Sequence, residues 1–569
     1  MDSKKLYDIW VQNATEDIDL VDELASIKGD DDAITDRFYK ELEFVTGGLR
    51  GEIGAGTNRM NIYNVRRATQ GLADYVLKVS NSPSVAIAYD SRIKSDVFAK
   101  AAAEVLAANG IKVYIYPELM PTPMLSFAVR HLKCDAGIVV TASHNPAKYN
   151  GYKVYGNDGC QIGLEVADAM IEVINSLDVF GDIKTVNFDE AIASGNIEYI
   201  KEDTIEAYLD AVQSRSVNAI SSDLKVIYTP LHGSGNKPVR AILKRIGLEN
   251  VVIVPEQELP DGNFPTAPYP NPEIRQAFEC ALKLAEKENP DLLLATDPDS
   301  DRCGIAVRHN GEYILTTGNE VGCLMLDYIL KARKEKGTLP NNPVAVKTIV
   351  TSDLAAKIAE NYGCELREVL TGFKFIGEQI YLLEEKNEEE RFVLGFEESY
   401  GYLAGTYVRD KDAVIASMLI CEMASYYKSQ GKTLIDVLNE LYEKYGLYLH
   451  SQICFTCEGV TGMQRMKDIM DDLQNNPPSS IGGLKVVAVR DYIKGIKIYD
   501  DKTTEKLTLP KTKALFYELE NHMNAVVRPS GTEPKIKVYI TAIAEDRAKA
   551  DEITANIGND MKKIMGFAD

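Results

Sequence analysis

No stretch of the 569-residue chain approaches the ~18 uninterrupted apolar residues that a membrane helix needs, and no apolar run follows the lysines of Met1-Asp-Ser-Lys-Lys-Leu. These absences predict a soluble, cytoplasmic protein without leader or anchor. A second C-x-x-C is also missing. Cys454 and Cys457 form the only such pair among nine scattered cysteines, which predicts reduced, buried or edge thiols in place of a zinc site or a disulfide framework. Positive charge is short as well. Lys plus Arg number 63 against 85 Asp plus Glu, a net charge of −22, so nucleic acid and anionic membrane are poor partners. A small anion remains open, because a few cations focused in a cleft dominate its local field. With 45% apolar and 26% charged residues the composition is that of an ordinary globular protein, and the length predicts about three to five domains.

The first forty residues are acidic and helical in pattern, with a helix start at Asp30-Asp-Asp32, and read as a surface extension. From Val85 the text alternates β-rich runs with helical stretches. Val85–Tyr89, a helix ending at Asn109-Gly110 and Ile111–Tyr116 form one βαβ rhythm. It returns in Leu224–Thr229, a helix over Lys237–Ile246 and Val251–Val254, and again in Val344–Val350, a helix ending at Tyr362-Gly363 and Glu365–Leu370. Three α/β units in series are predicted, related by pattern and not by residue repeat. After about Tyr448, period-2 strands such as Leu484–Arg490, a loop over 475–483 and a closing helix from Asp546 to Met565 predict a smaller α+β domain.

Four strand-end strings carry chemistry. Ala136-Gly-Ile-Val-Val delivers Thr141-Ala-Ser-His-Asn-Pro146, with Ser143 where a strand meets the ligand edge of an α/β sheet. It lacks the Gly-x-Ser-x-Gly of an acyl-transfer elbow. Lys153 follows in Asn150-Gly-Tyr-Lys153 as a cation or proton-transfer group. Asp291-Leu-Leu-Leu-Ala-Thr delivers Asp297, Asp299 and Asp301 at alternate positions, and carboxylates so crowded repel one another unless a cation intervenes. An EF-hand is excluded by Arg302 and Arg308 at its glycine and glutamate positions, and the small ligand count suits Mg2+. Val393-Leu-Gly-Phe delivers Glu397-Glu-Ser399 between glycines, acceptors and donors suited to sugar hydroxyls, with Lys374 upstream and Lys411 downstream. Ala525-Val-Val-Arg-Pro-Ser-Gly-Thr532 offers a guanidinium, two hydroxyls and backbone N–H groups for a phosphate. A fifth strand-end loop holds His232, which either touches a ligand or shapes the cleft.

These four strings, in this order, resemble the α-D-phosphohexomutase family over nearly the whole chain. Phe44-Val-Thr-Gly-Gly-Leu-Arg-Gly51 is similar to the family's opening motif. The resemblance implies an α/β fold of four domains around a central cleft: three α/β units with mixed sheets over 1–213, 214–315 and 316–446, then an α+β domain over 447–569. It implies a phosphoserine at Ser143 and Mg2+ on Asp297, Asp299 and Asp301 with an oxygen at Ser143. Sugar contacts would come from Glu397 and Ser399, and phosphate contacts from Arg528, Ser530, Gly531 and Thr532. Thr46, Arg50, Arg302, Lys374 and Lys411 complete the substrate set. The proton-transfer group stays open among Lys153, His144 and a metal-loop carboxylate, with Lys153 first. The implied reaction interconverts glucose 1-phosphate and glucose 6-phosphate through glucose 1,6-bisphosphate in a monomer whose partners are small sugar phosphates. A mutase acting on pentose or mannose phosphates is the alternative, and a non-catalytic sugar-phosphate binder is a remote one.

Overall fold

Strands buried on both faces alternate with helices and build three sheets in succession, as near-continuous apolar runs should. The computed structural model describes residues 2–44, 48–457, 462–530 and 535–567. Its first sheet runs, in spatial order, Gly48–Glu52, Tyr149–Gly156, Ala136–Val140, Ser84–Tyr89, Lys112–Ile115 and Ile197–Tyr199. The second runs Glu312–Leu315, Cys303–His309, Leu292–Thr296, Val226–Thr229 and Val251–Ile253, and the third Glu365–Val369, Val344–Thr348, Phe392–Phe396 and Tyr402–Leu403.

One arrangement recurs in all three. Counting strands along the chain from Ser84–Tyr89, Val226–Thr229 and Val344–Thr348, the spatial order is fourth, third, first, second, with the fourth antiparallel and the rest parallel. The predicted kinship of pattern is therefore a kinship of topology. In each unit the third strand, Ala136–Val140, Leu292–Thr296 or Phe392–Phe396, is buried at every position and ends in one of the polar loops. Burying each Val, Leu or Phe contributes about 1.5–3 kcal/mol, so these loops stand on stiff supports. Local chemistry sets the helix limits: Thr317 and Glu320 form a capping box that starts Gly318–Glu335, and Gly363 at φ +65° ends Leu354–Tyr362.

The fourth sheet is antiparallel throughout, ordered Leu447–Thr456, Lys535–Ala544, Asn524–Pro529, Leu515–Leu519, Leu484–Asp491, Ile496–Tyr499 and Thr504–Lys506. Helices Gly462–Asn475 and Arg547–Ile564 complete this α+β unit. The segment read as loop over 475–483 contains a two-residue strand, Ser480–Ile481, which turns through Gly482 and Gly483 onto Leu484. All nine cysteines are free thiols, and among the described residues no helix is long and apolar enough to cross a membrane.

The expected surface extension needs correction. Its acidic residues hide an apolar stripe: Trp10 is 1% exposed and packs edge-on against Phe38, Tyr63 and Phe180, with ring centroids 5.9, 5.6 and 5.3 Å away. Asp17 also pairs with Lys94 at 2.6 Å, so the first helices belong to the first core.

Candidate active site

The third strands of the three α/β units and a hairpin of the fourth unit open onto one cleft of about 1110 Å3. Ser143 enters it at the end of Ala136–Val140 with φ +52°, a left-handed conformation that costs a non-glycine residue about 1–3 kcal/mol. Its N–H donates to Thr141 Oγ1 at 2.8 Å, and its hydroxyl donates to Asp297 Oδ2, also at 2.8 Å. His144 Nδ1 lies 3.2 Å from the same hydroxyl. Burial, then the charges of Arg302 and Arg50, hold His144 well below the usual imidazole range, so the ring is neutral.

Asp297, Asp299 and Asp301 each offer a carboxylate oxygen, all within 4.8 Å of one another and all buried. Asp297 Oδ1 accepts the N–H groups of Asp301 and Arg302 at 3.1 and 3.0 Å. Asp299 Oδ2 accepts from Thr122 Oγ1 at 2.9 Å and Lys153 Nζ at 3.2 Å, while Lys411 Nζ lies 2.8 Å from Asp301 Oδ2. Burial, then Asp299 and Asp301, drive Asp297 well above the carboxylate range. For Asp299 burial pushes the same way, but Lys153 and Lys411 outweigh it and leave it low. Asp299 Oδ1 is buried without a hydrogen-bond partner among the described residues. An all-oxygen set with a fully buried orphan acceptor fits a divalent cation.

Across the cleft, Glu397 Oε1 accepts the Gly372 N–H at 2.9 Å. Burial pushes Glu397 up to about 7, with Glu398 adding to it and Lys411 opposing. Glu398 Oε2 accepts from Thr348 Oγ1 at 3.3 Å. Ser399, Lys411, Arg50, Arg302 and Arg528 line the same space, as do Lys153 and Ser143. Arg302 pairs with Glu273.

Three profiles of one family match in order: Phosphoglucomutase/phosphomannomutase, alpha/beta/alpha domain I over residues 41–179, domain II over 206–311 and domain III over 317–445. The chain belongs to this family. It is 39% identical over 508 residues to a phosphoglucomutase of Staphylococcus haemolyticus, covering 89% of this chain and 91% of that one. It is 38% identical over 509 residues to a phosphoglucomutase of Staphylococcus aureus, covering 89% and 90%. The fold is also that of a phosphoglucomutase from Paramecium in an open form, with TM-score 0.66, 18% identity and coverage of 93% and 95%. A phosphoglucomutase/phosphomannomutase family protein from Burkholderia thailandensis gives TM-score 0.67, 18% identity and coverage of 92% and 98%.

The other residues singled out from the sequence divide. Lys374 does not line the family cleft. Its ammonium sits 5.1 Å above the Phe375 ring, and the preceding Thr371, Gly372 and Phe373 take the lining positions. Ser530 closes its hairpin by donating its N–H to the Lys535 carbonyl at 2.7 Å. Thr46, Gly531 and Thr532 lie outside the described residues. The ring nitrogens of His232 are bonded within the second unit, to Leu259 O at 3.2 Å and Thr266 Oγ1 at 2.9 Å. Sequence reasoning missed Thr122, Glu273, Asp90 and Arg92. For the last two a signal existed, since Asp90-Ser-Arg92 also ends a buried strand, Ser84–Tyr89. Thr122 and Glu273 sit at no strand end and carried no local signal.

Proposed function

We propose that this enzyme is a phosphoglucomutase that interconverts glucose 1-phosphate and glucose 6-phosphate through a phosphorylated Ser143. The observation that supports this best is the Ser143 hydroxyl, held 2.8 Å from one of three clustered, buried carboxylates in a cleft rimmed by arginines and lysines. Mg2+ held by Asp297, Asp299, Asp301 and an oxygen on Ser143 would neutralise charge on the transferring phosphoryl group.

The chain's own residues do the rest. Phosphorylated Ser143 gives its phosphoryl group to O6 of glucose 1-phosphate: the Ser Oγ–P bond breaks as the O6–P bond forms, and the O6 proton departs. The resulting glucose 1,6-bisphosphate reverses its orientation in the cleft and returns the phosphate on O1 to Ser143, leaving glucose 6-phosphate. We assign the proton transfers to Lys153, whose ammonium gives a proton to the departing serine oxygen and, as the amine, takes the proton from O6, with neutral His144, 3.2 Å from the serine oxygen, as the second group placed for them. Lys411 and Arg302 stabilise the equatorial oxygens. Glu397 and Ser399 receive the sugar hydroxyls, and Arg528 with Ser530, Gly531 and Thr532 grips whichever phosphate is not moving. We take the enzyme to be a cytoplasmic monomer that acts on small sugar phosphates.

Steady-state assays with Mg2+ and the cognate bisphosphate test the reading on glucose, mannose and ribose 1-phosphates. A missing hydroxymethyl is worth about 1–3 kcal/mol, so glucose should lead ribose in kcat/KM by about tenfold or more. A pentose or mannose lead would overturn the substrate assignment, and no turnover on any of them would favour a sugar-phosphate binder.

A further inference from the structure

In each α/β unit the loop after the first strand braces the loop after the third. In the second unit Ser234 donates to the Pro298 carbonyl through its N–H at 2.8 Å and its hydroxyl at 2.9 Å. In the third, Thr351 Oγ1 of the loop and Thr348 Oγ1 at the strand's last residue donate to Glu398 Oε2 at 3.5 and 3.3 Å. The first unit builds the same brace from a buried ion pair. Asp90 and Arg92, both with fully buried side chains, follow strand Ser84–Tyr89 with Arg92 Nε 3.3 Å from Asp90 Oδ2. Arg92 Nη1 donates to the carbonyls of Pro146 and Tyr149 at 3.0 Å each, and Nη2 donates to those of Ser143 and Asn145. One guanidinium thus collects four carbonyls of the turn that carries the serine.

Asp90 ties the remaining atoms together. Its Oδ2 accepts from Thr141 Oγ1 at 2.7 Å and its Oδ1 from Ser95 Oγ at 2.7 Å, while Thr141 Oγ1 accepts the Ser143 N–H. The guanidinium also lies 5.1 Å from the ring centroid of Phe264, a residue of the unit that carries the aspartates. Beside it Gly262 packs so closely that a Cβ there would fall 2.4 Å from the Ile93 nitrogen.

We propose that Asp90 and Arg92 are positioning residues which hold Ser143 in its left-handed conformation with Oγ aimed at Asp297, and that Phe264 registers this clamp against the aspartate loop. The inference rests on the reading of Ser143 as the phosphoryl carrier. Only a planar fork with five donors can span four carbonyls; a lysine keeps the charge but has three donors and no plane.

The test uses the full-length protein and the variants Arg92→Lys, Arg92→Ala and Asp90→Asn. Phosphate uptake from glucose 1,6-bisphosphate onto Ser143 is followed by intact mass, alongside kcat and KM for glucose 1-phosphate, with thermal melts to normalise for folded protein. In Arg92→Lys, uptake and kcat should fall about 100-fold while KM stays within about threefold, because misplacement of the nucleophile costs rate more than binding. Low-millimolar guanidinium should restore part of the Arg92→Ala rate in a saturable way. Should neither Arg92 variant fold, Asp90→Asn, which keeps the side chain's shape, is held to the same kcat and KM criterion. Rates that track only the folded fraction, or an absence of guanidinium rescue in folded protein, would overturn the clamp. A wild-type protein that takes up no phosphate would overturn the Ser143 reading and the clamp's role with it; equal uptake by wild type and variants overturns the clamp alone.

Discussion

The Ser143 loop and the Arg528 loop face the same cleft but are supported in opposite ways. Ser143 follows a strand buried at every position and is fixed by backbone and side-chain bonds from both flanks. Arg528 is half-buried on a strand of an antiparallel sheet, where Pro529 and Ser530 lead into a hairpin. The contrast suits the roles proposed for the two loops. Phosphoryl transfer tolerates little error in the position of the nucleophile, whereas a phosphate grip of the kind proposed for Arg528 has to accept a ligand presented in two orientations. Changes at the serine side should therefore cost rate, and changes at the hairpin side should cost binding.

The largest effect is expected from Ser143→Ala, which removes the oxygen proposed to carry the phosphoryl group. Turnover should fall by at least about 10^4-fold with the melting temperature unchanged. Full activity in that variant would end the serine's role. Next comes the aspartate cluster. Asp301→Asn, or chelation of divalent metal from the wild type, should lower kcat by about 10^2–10^3-fold, the scale of losing a preorganised electrostatic partner. Added Mg2+ should restore the chelated protein but not the variant. Retention of full activity in chelator would show that the orphan oxygen of Asp299 serves no cation.

Arg528→Ala should invert the pattern. Loss of a charged hydrogen bond to phosphate is worth about 1.5–3 kcal/mol, so KM for glucose 1-phosphate should rise about 10–100-fold while kcat changes little. A drop in kcat with KM unchanged would instead place Arg528 on the phosphoryl group in flight and erase the distinction between the two loops.

What could be read in advance follows the same division. The four loops were legible because each sets dense chemistry at the end of an apolar run, a local pattern. The order of strands was not, since an alternation of β and α says nothing about the antiparallel fourth strand that separates Gly48–Glu52 from the rest of its sheet. Arg92 was invisible as a support because its partners are carbonyls some fifty residues away, which any sequence supplies. Trp10 was hidden among acidic neighbours, and only the packing of Phe38, Tyr63 and Phe180 around it reveals a core. Lys374 had the right charge in the right loop, but it is half-buried with its ammonium over the Phe375 ring.

The smallest effect concerns how the hairpin unit is attached. His450, on the first strand of the fourth sheet, bonds through Nε2 to Ser352 Oγ of the third unit at 2.7 Å and through Nδ1 to Thr541 Oγ1 at 3.1 Å. Burial, with Lys347 adding to it and Asp353 opposing, lowers its pKa to about 4. The folded ring is neutral where the unfolded one, near 6.5, takes up a proton. Acid therefore favours the unfolded chain: stability present above pH 6.5 is lost as the pH falls towards about 4, by on the order of 2–3 kcal/mol from this residue. Carboxylates titrate in the same window, but they do so alike in wild type and in His450→Gln, so the difference between the two melting curves isolates the histidine. That difference should shrink or change sign on acidification, since glutamine offers a donor and an acceptor without a charge to bury. A difference independent of pH between 4 and 7 would mean that the ring is protonated without cost, and that the joint between the two kinds of unit is wetter than its hydrogen bonds imply.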